Sequence, residues 1–367
     1  MLTRIGSLKR WARLASDRRV AEPHPDRSRA SRYRVSRAAA AVLPLTLAAA
    51  LVIAQDDTQY LRLLDAYARN DPAAVATLAT WPESRVKDAV RALDKQTARD
   101  RARAAIMLHT EAAFVETADN RESFHVEVAR SFVSQLNRSN RDFVARWHAL
   151  VAALYCVRHD FRRARLEINQ GLTVDGKHPY VNLAAGAFIE YKVAQEEPNL
   201  RGQWNVRARR DDILRKELHQ AAQIYRVILS GYPDFLEARL RLGWVLTLND
   251  SLQAAREQLE IVAAQAMNTD VSYLAHMFLA ALHERADRPA DAAREYELAR
   301  QVAPYQSALV ALIRTASAAG DLDRARALAD DIPMMVAAGQ DDPWNSYESC
   351  FTGDELFVGL RAEIRAR

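Results

Sequence analysis

The amino-acid sequence predicts an all-α fold built from repeated pairs of helices. From Gln55 onward the apolar residues recur about every 3.6 residues, and short polar turns, not strand-length alternations, separate the periodic stretches. The composition agrees, since 11 Gly and 12 Pro in 367 residues are too few for a turn-rich β fold. A third observation is a set of small and apolar residues that recurs at nearly constant spacing through the second half of the chain.

The net positive charge of the chain arises in its first 54 residues. They hold 11 Lys and Arg against 3 Asp and Glu, a net charge of +8, whereas the rest holds 40 against 44, a net charge of −4. The overall charge of +4 therefore belongs to a leader and not to the folded body. A mildly acidic body lacks the basic surface that nucleic acid requires, so no nucleic-acid partner is expected.

Residues 1–37 are predicted to be a disordered basic leader, and an uncharged run follows at 38–54. A basic end, a short apolar run and small residues at its close are typical of a secretory signal peptide. The run only just spans a hydrocarbon core of ~30 Å, and Pro44 disturbs a helix, so a cleaved signal is favoured over a retained membrane anchor. In either case we expect the residues from Gln55 onward to be exported, to the periplasm or the outer side of the inner membrane.

Residues 56–144 are predicted to be helical and weakly repeat-like. Asn70-Asp71-Pro72 interrupts the first periodic stretch, because Asp71 can cap the following helix and Pro72 fits its first turn. Trp81-Pro82 ends that following helix. Helix pairing alone extends the repeat interpretation to this region.

Residues 145–333 contain a recurring trio in which the second member follows the first by four positions and the third follows three later. The copies are Ala164-Ile168-Gly171, Ala221-Tyr225-Ile228, Ala255-Leu259-Val262, Ala292-Tyr296-Ala299 and Ala325-Ala329-Ile332. The last four copies each begin with an alanine, and these first residues are 34, 37 and 33 residues apart. A companion helix with a small residue, as at Leu242-Gly243, precedes four of the five trios. Small residues are expected there because two helices joined by a short turn must approach closely.

This pattern resembles the tetratricopeptide repeat, a helix-turn-helix unit of ~34 residues that stacks into a right-handed solenoid. The whole chain is similar in style to exported bacterial proteins of this family that lack a defined activity. The resemblance implies that the first helix of each pair lines a groove. The residues that it places there are Trp244, Thr247, Glu284, Arg314 and Ser317 on the walls, with Leu240 and Met277 on the floor.

Two segments depart from the repeat. Ala164 and Ala221 are 57 residues apart, which predicts an insertion at about 192–212. Its arginines and Trp204 suit an anion or a lipid headgroup, but neighbouring acidic residues favour a solvated loop or a helix extension. Residues 334–367 are predicted to form a loop and a helix. The loop packs Trp344 and Tyr347 onto the end of the solenoid, and the helix caps the last repeat.

Motifs for catalysis are absent from the sequence, which contains no His-Glu-x-x-His, no Gly-x-Ser-x-Gly and no glycine-rich phosphate loop. His276 and His283 lie on one helical face, but no third ligand at helical spacing accompanies them. We therefore expect no enzyme, no metal and no cofactor.

The sequence as a whole predicts an interaction scaffold or adaptor in the bacterial cell envelope, with a peptide or partner protein bound in the groove. Two alternatives stay open. One is an envelope enzyme whose site is assembled from residues distant in sequence. The other is a membrane-tethered adaptor whose basic cytoplasmic tail takes part in its function.

Overall fold

The computed structural model describes residues 58–115, 121–136, 138–199, 207–267, 269–332, 342–347 and 354–365. The predicted leader 1–37 and apolar run 38–54 lie outside these residues. The described part of the chain contains helices and turns and no strand, so the predicted all-α class is confirmed. None of its helices has the length and apolar character needed to cross a membrane.

The N-terminal region consists of helices of 6 to 14 residues, of which the last two are the longest. They are α1 (58–68), α2 (Ala73–Ala79), α3 (Glu83–Ala92), α4 (Lys95–Asp100), α5 (Ala102–Val115) and α6 (Arg121–Val133). Asp94 caps α4 by accepting the backbone N–H groups of Gln96 and Thr97. Helices α5 and α6 pack against each other as a pair.

The following helices pair in order of sequence. The pairs are α7 (Arg141–Val157) with α8 (Phe161–Val174), α9 (Pro179–Asn199) with α10 (Arg207–Gly231), α11 (Leu236–Leu248) with α12 (Leu252–Gln265), α13 (Thr269–Arg285) with α14 (Pro289–Val302), and α15 (Gln306–Ala318) with α16 (Leu322–Ala329). The first helices of neighbouring pairs also contact one another, α7 with α9, α9 with α11 and α11 with α13. This is the stacked helix-pair arrangement of a tetratricopeptide-type repeat.

The same turn closes four of these pairs. Its central residue has a positive φ, which is 58° at His159, 58° at Asp250, 56° at Asp287 and 80° at Gly320. In each turn the next backbone N–H bonds to the carbonyl five residues back, at 2.9 to 3.0 Å. That bond closes the helix end in the manner of a Schellman motif, for which a left-handed residue is required. Asn70, with φ 69°, makes the same turn between α1 and α2, so the geometry of the repeat turn extends to the start of the described chain.

Close helix crossings explain two small residues on the first helices of the pairs. A Cβ added at Gly243 of α11 would lie 2.5 Å from Leu259 Cγ of α12. A Cβ added at Gly186 of α9 would lie 2.5 Å from the Tyr225 ring of α10. Glycine at these two positions is therefore what lets the paired helices approach.

The insertion predicted at about 192–212 is helical for much of its length. Helix α9 continues to Asn199 and α10 begins at Arg207, so the second repeat has the two longest helices in the described chain, of 21 and 25 residues. Lys192 ion-pairs with Glu217 across the pair at 2.6 Å. The two predicted alternatives were a solvated loop and a helix extension. At its two ends the insertion extends α9 and α10.

The C-terminal helix was predicted to cap the last repeat, and that prediction is wrong. A short helix, α17 (Pro343–Ser346), packs on α13, and the last helix, α18 (Asp354–Arg365), packs on α5 and α7. Leu360 of α18 is fully buried in the N-terminal hydrophobic cluster. Arg361 bonds to the buried carboxylate of Glu111 through two nitrogens, so an ion pair also fastens α18 to α5.

Candidate peptide-binding groove

The first helices α9, α11, α13 and α15 together form one surface, which we call the groove. Six of the seven predicted groove residues divide into a buried set and an exposed set, and the seventh is Trp244. Leu240, Thr247 and Met277 are buried, and the Thr247 hydroxyl donates to the Gly243 carbonyl of its own helix. Thr247 was predicted to line a wall, but this burial removes it from the surface.

Glu284, Arg314 and Ser317 are exposed at the α13 and α15 side of the groove. The Arg314 guanidinium ion-pairs with Glu284 and lies 3.3 Å from the Tyr296 hydroxyl. This contact joins α13, α14 and α15, and it leaves both charges near solvent. An exposed ion pair of this kind contributes little to stability and is available to a partner.

Trp244 forms the centre of the groove. Its ring stacks on that of Phe278 with the ring centres 4.5 Å apart and the planes at 17°. Residues 342–347 of the same chain lie against this pair. We call these residues the C-terminal segment.

Two aromatic side chains of the C-terminal segment lie on the Trp244–Phe278 pair. The centre of the Trp344 ring lies 5.5 Å from that of Phe278 and 6.2 Å from that of Trp244. The Tyr347 ring lies edge-on to Phe278 at 4.6 Å. The sequence predicted that Trp344 and Tyr347 pack onto the end of the solenoid, and that placement is wrong, since they lie on α11 and α13.

Asp342 holds the beginning of the C-terminal segment. Its Oδ2 accepts the Ser307 backbone N–H at 2.8 Å, in the first turn of α15, and the Tyr273 hydroxyl lies 3.4 Å away. Its Oδ1 accepts the Trp344 N–H at 2.9 Å. The carboxylate therefore meets the positive end of a helix and at the same time caps the turn that follows it.

A buried polar cluster receives the Tyr347 hydroxyl. Glu190 of α9 accepts hydrogen bonds from Tyr225 and, at 3.4 Å, from Tyr347. The Arg241 guanidinium lies 3.4 Å from the same carboxylate and 3.5 Å from that of Glu237. Burial raises the pKa of Glu190, although the neighbouring Arg241 charge opposes the rise.

The two histidines of α13 that the sequence places on one helical face each contact an acidic side chain. In the described residues no group of three or more His, Cys, Asp and Glu side chains is placed to hold a metal ion. His276 bonds to Glu295 at 2.8 Å, and His283 lies 4.0 Å from Asp291, so each histidine pairs with an acid of α14. Both contacts are those of packed repeats.

One cavity lies away from the groove, between the α1–α2 turn, α5 and α18. Its volume is about 150 Å³, and Tyr67, Glu111 and Arg361 line it. Ligand sites commonly enclose about 300 to 1,000 Å³. The three lining groups already bond to one another, so the cavity has the character of a packing gap beside an ion pair.

The sequence did not predict a place in the groove for Asp342, Glu190, Arg241 or Tyr347. Arg241 offered a weak signal, because an arginine lies between Leu240 and Leu242 at a position that the helix period assigns to the interior. The other three gain their role only from contacts with distant parts of the chain.

Comparison with protein-family models finds no match. Comparison with curated protein sequences finds none either. A solved structure titled "Functional Characterization of Pseudomonas Aeruginosa pilF" is similar at 15% identity and a TM-score of 0.43, over 62% of this chain and 89% of that chain. This distant likeness has no bearing on function. The class of the protein follows from its own geometry, which is that of an all-α helical-repeat protein with helix pairs of the tetratricopeptide type.

Proposed function

We propose that this chain is a non-catalytic interaction scaffold or adaptor that binds a peptide or a partner protein in the groove. One observation supports it above the others: the groove holds a six-residue stretch of the protein's own chain through a carboxylate and two aromatic side chains. A surface that receives such a stretch through side-chain subsites has the properties of a peptide-binding site.

The envelope location is part of the same proposal, and it is supported by the basic leader and the uncharged run 38–54 in the sequence. N-terminal sequencing of the protein from its native host tests this part. We expect the mature chain to begin at Gln55. Recovery of an intact residue 1–37 leader from the membrane fraction would instead favour the retained anchor.

Affinity capture from the native host tests the groove. The variant Trp244→Ala with Arg314→Glu changes the centre and the exposed wall of the groove, and we expect it to lose partners that the wild-type chain captures. Leu166→Ala with Val227→Ala is the matched control, since these side chains are 48% and 66% exposed on the second helices α8 and α10. Retention of every partner by the groove variant, with its fold verified by circular dichroism, would remove the groove from the proposal.

A further inference from the structure

The C-terminal segment is bound through three distinct subsites. The first takes a carboxylate, the second takes the Trp344 indole and the third takes the Tyr347 phenol. Each subsite is built by first helices of the repeats, and the segment contributes only a single turn of helix, Pro343–Ser346. A helix that short has no stability of its own, so its conformation depends on the groove.

The carboxylate subsite combines a helix N-terminus with a hydroxyl donor. The Ser307 N–H and the Tyr273 hydroxyl both point at Asp342 Oδ2, and Asp342 is 7% exposed. A backbone N–H at the start of a 13-residue helix favours an anion and gives no interaction of this kind to a cation. The subsite therefore selects an acidic side chain.

The two aromatic subsites select by shape and by polarity. The centres of the Trp344 and Tyr347 rings lie 4.6 to 6.5 Å from those of Trp244 and Phe278, which is the range in which aromatic rings attract each other. The Tyr347 subsite adds a cation and an anion, because the Arg241 guanidinium lies 4.8 Å from the ring and Glu190 accepts its hydroxyl. An aliphatic side chain meets none of these polar requirements.

We propose that the C-terminal segment is an internal ligand, and that the external partner of the groove is a peptide stretch of the same chemistry. Such a stretch has an acidic residue, an aromatic residue two positions later and a tyrosine three positions after that, and it binds by displacing residues 342–347. The inference rests on the proposed function of the groove and specifies its ligand. A tethered ligand competes at an effective concentration of the order of millimolar, so the wild-type chain is held in a weakly binding state.

Fluorescence anisotropy tests the displacement, with a fluorescein-labelled synthetic peptide of residues 340–349 as the probe. The protein is the full chain, as wild type and as the variant Trp344→Ala with Tyr347→Ala. We expect the peptide to bind the variant with a Kd at least ~10-fold lower than that for the wild type, because the variant's own segment competes poorly. Equal affinity for the two chains, or binding to neither, would overturn the proposal.

Three controls make the result specific. The same peptide with Trp344→Ala and Tyr347→Ala is expected to bind the variant at least ~10-fold more weakly than the native peptide does. Adding Trp244→Ala to the variant is expected to weaken binding of the native peptide by a similar factor. Unchanged affinity after this addition would place the peptide outside the groove. Tyr232→Ala with Leu322→Ala, at side chains 48% and 54% exposed, is expected to behave as the wild type.

Two further measurements keep the test decisive. If the double variant does not fold, Asp342→Asn in the full chain releases the carboxylate subsite alone and is expected to tighten peptide binding by ~3-fold or more. Sedimentation of the wild type over a range of concentrations is expected to show no dimer that depends on the segment; such a dimer would mean that a second copy supplies it. Failure of peptide binding with partner capture intact would reject this ligand chemistry and leave the groove, whereas failure of both would reject the proposed function.

Discussion

The guanidinium carbon of Arg241 lies 4.8 Å from the centre of the Tyr347 ring. Both residues are buried, Arg241 at 2% and Tyr347 at 6% exposure. A cation over an aromatic face in a desolvated site contributes about 2 kcal/mol. The contact joins the first helix of the third helix pair, α11, to a segment near the end of the chain, so the interior of the groove is completed by residues from outside the repeats.

Replacing Tyr347 is expected to destabilise the protein in proportion to what is removed. Tyr347→Ala deletes a buried ring and should lower the free energy of unfolding by about 3 kcal/mol or more. Tyr347→Phe keeps the ring and removes only the hydrogen bond to Glu190, so a loss of about 1 kcal/mol is expected. Urea denaturation measures both, with Tyr232→Ala as an exposed control within about 0.5 kcal/mol of the wild type. Equal losses for the Ala and Phe variants would contradict the packing role of the ring.

Removing the carboxylate of Glu190 is expected to destabilise the protein strongly, because the buried charge of Arg241 then loses one carboxylate partner and keeps Glu237. Glu190→Gln should lower the free energy of unfolding by about 3 kcal/mol. Arg241→Met in the same chain removes the buried cation as well. The double variant is therefore expected to be more stable than the sum of the two single losses implies, by about 1 kcal/mol or more in a double-mutant cycle. Strict additivity would mean that the two charges do not interact.

The repeats could be predicted from the sequence because their determinants are local. Gly243 and Ala255 are 12 positions apart, and the turn between them contains Asp250, a residue type that tolerates a left-handed conformation. Period, small residues and turn chemistry all agree at this spacing, so the helix pairs follow from short stretches of sequence.

The C-terminal path could not be predicted in the same way. Tyr347 and Glu190 are 157 positions apart, and Arg361 and Glu111 are 250 apart. No periodic pattern relates residues at such distances in a single sequence. A helix with one apolar face, such as α18, fits any exposed apolar surface, and its sequence alone did not distinguish the end of the solenoid from α5 and α7.

Adding a methyl group at a helix crossing is expected to cost stability where the crossing is tight. Gly243→Ala places a Cβ at 2.5 Å from Leu259 Cγ, so the helices or the leucine must shift. We expect a loss of about 1 to 3 kcal/mol in the free energy of unfolding. Gly231→Ala is the matched control, because nothing lies within 4 Å of its added Cβ at the end of α10. That substitution should be neutral or stabilising by up to about 1 kcal/mol, and thermal denaturation of both variants distinguishes local crowding from a general effect of alanine.

A buried histidine in the N-terminal region is expected to make stability depend on pH. His109 of α5 is fully buried, its Nε2 lies 2.9 Å from the Tyr60 hydroxyl, and its Nδ1 lies 2.9 Å from Nδ1 of His125. Burial, followed by the neighbouring His125, lowers the pKa of His109 well below its usual range. In the folded protein the imidazole therefore stays neutral at pH values at which the same group in the unfolded chain is protonated.

The sign of the effect follows from proton binding. Because the folded pKa of His109 is lowered, its contribution to stability is complete above the unfolded pKa of about 6.5 and is lost as the pH falls below it. The loss is about 1.4 kcal/mol for each pH unit until the folded pKa is reached. Urea denaturation of the wild type and His109→Gln from pH 7.5 to 5 measures it. At pH 7.5 the His109→Gln variant is expected to be less stable than the wild type, because a buried ring is removed. Between pH 7.5 and 5 it is expected to lose less stability than the wild type does. His219→Gln changes an exposed histidine and should keep the wild-type slope. If His109→Gln kept that slope too, the acid sensitivity would arise from groups other than His109.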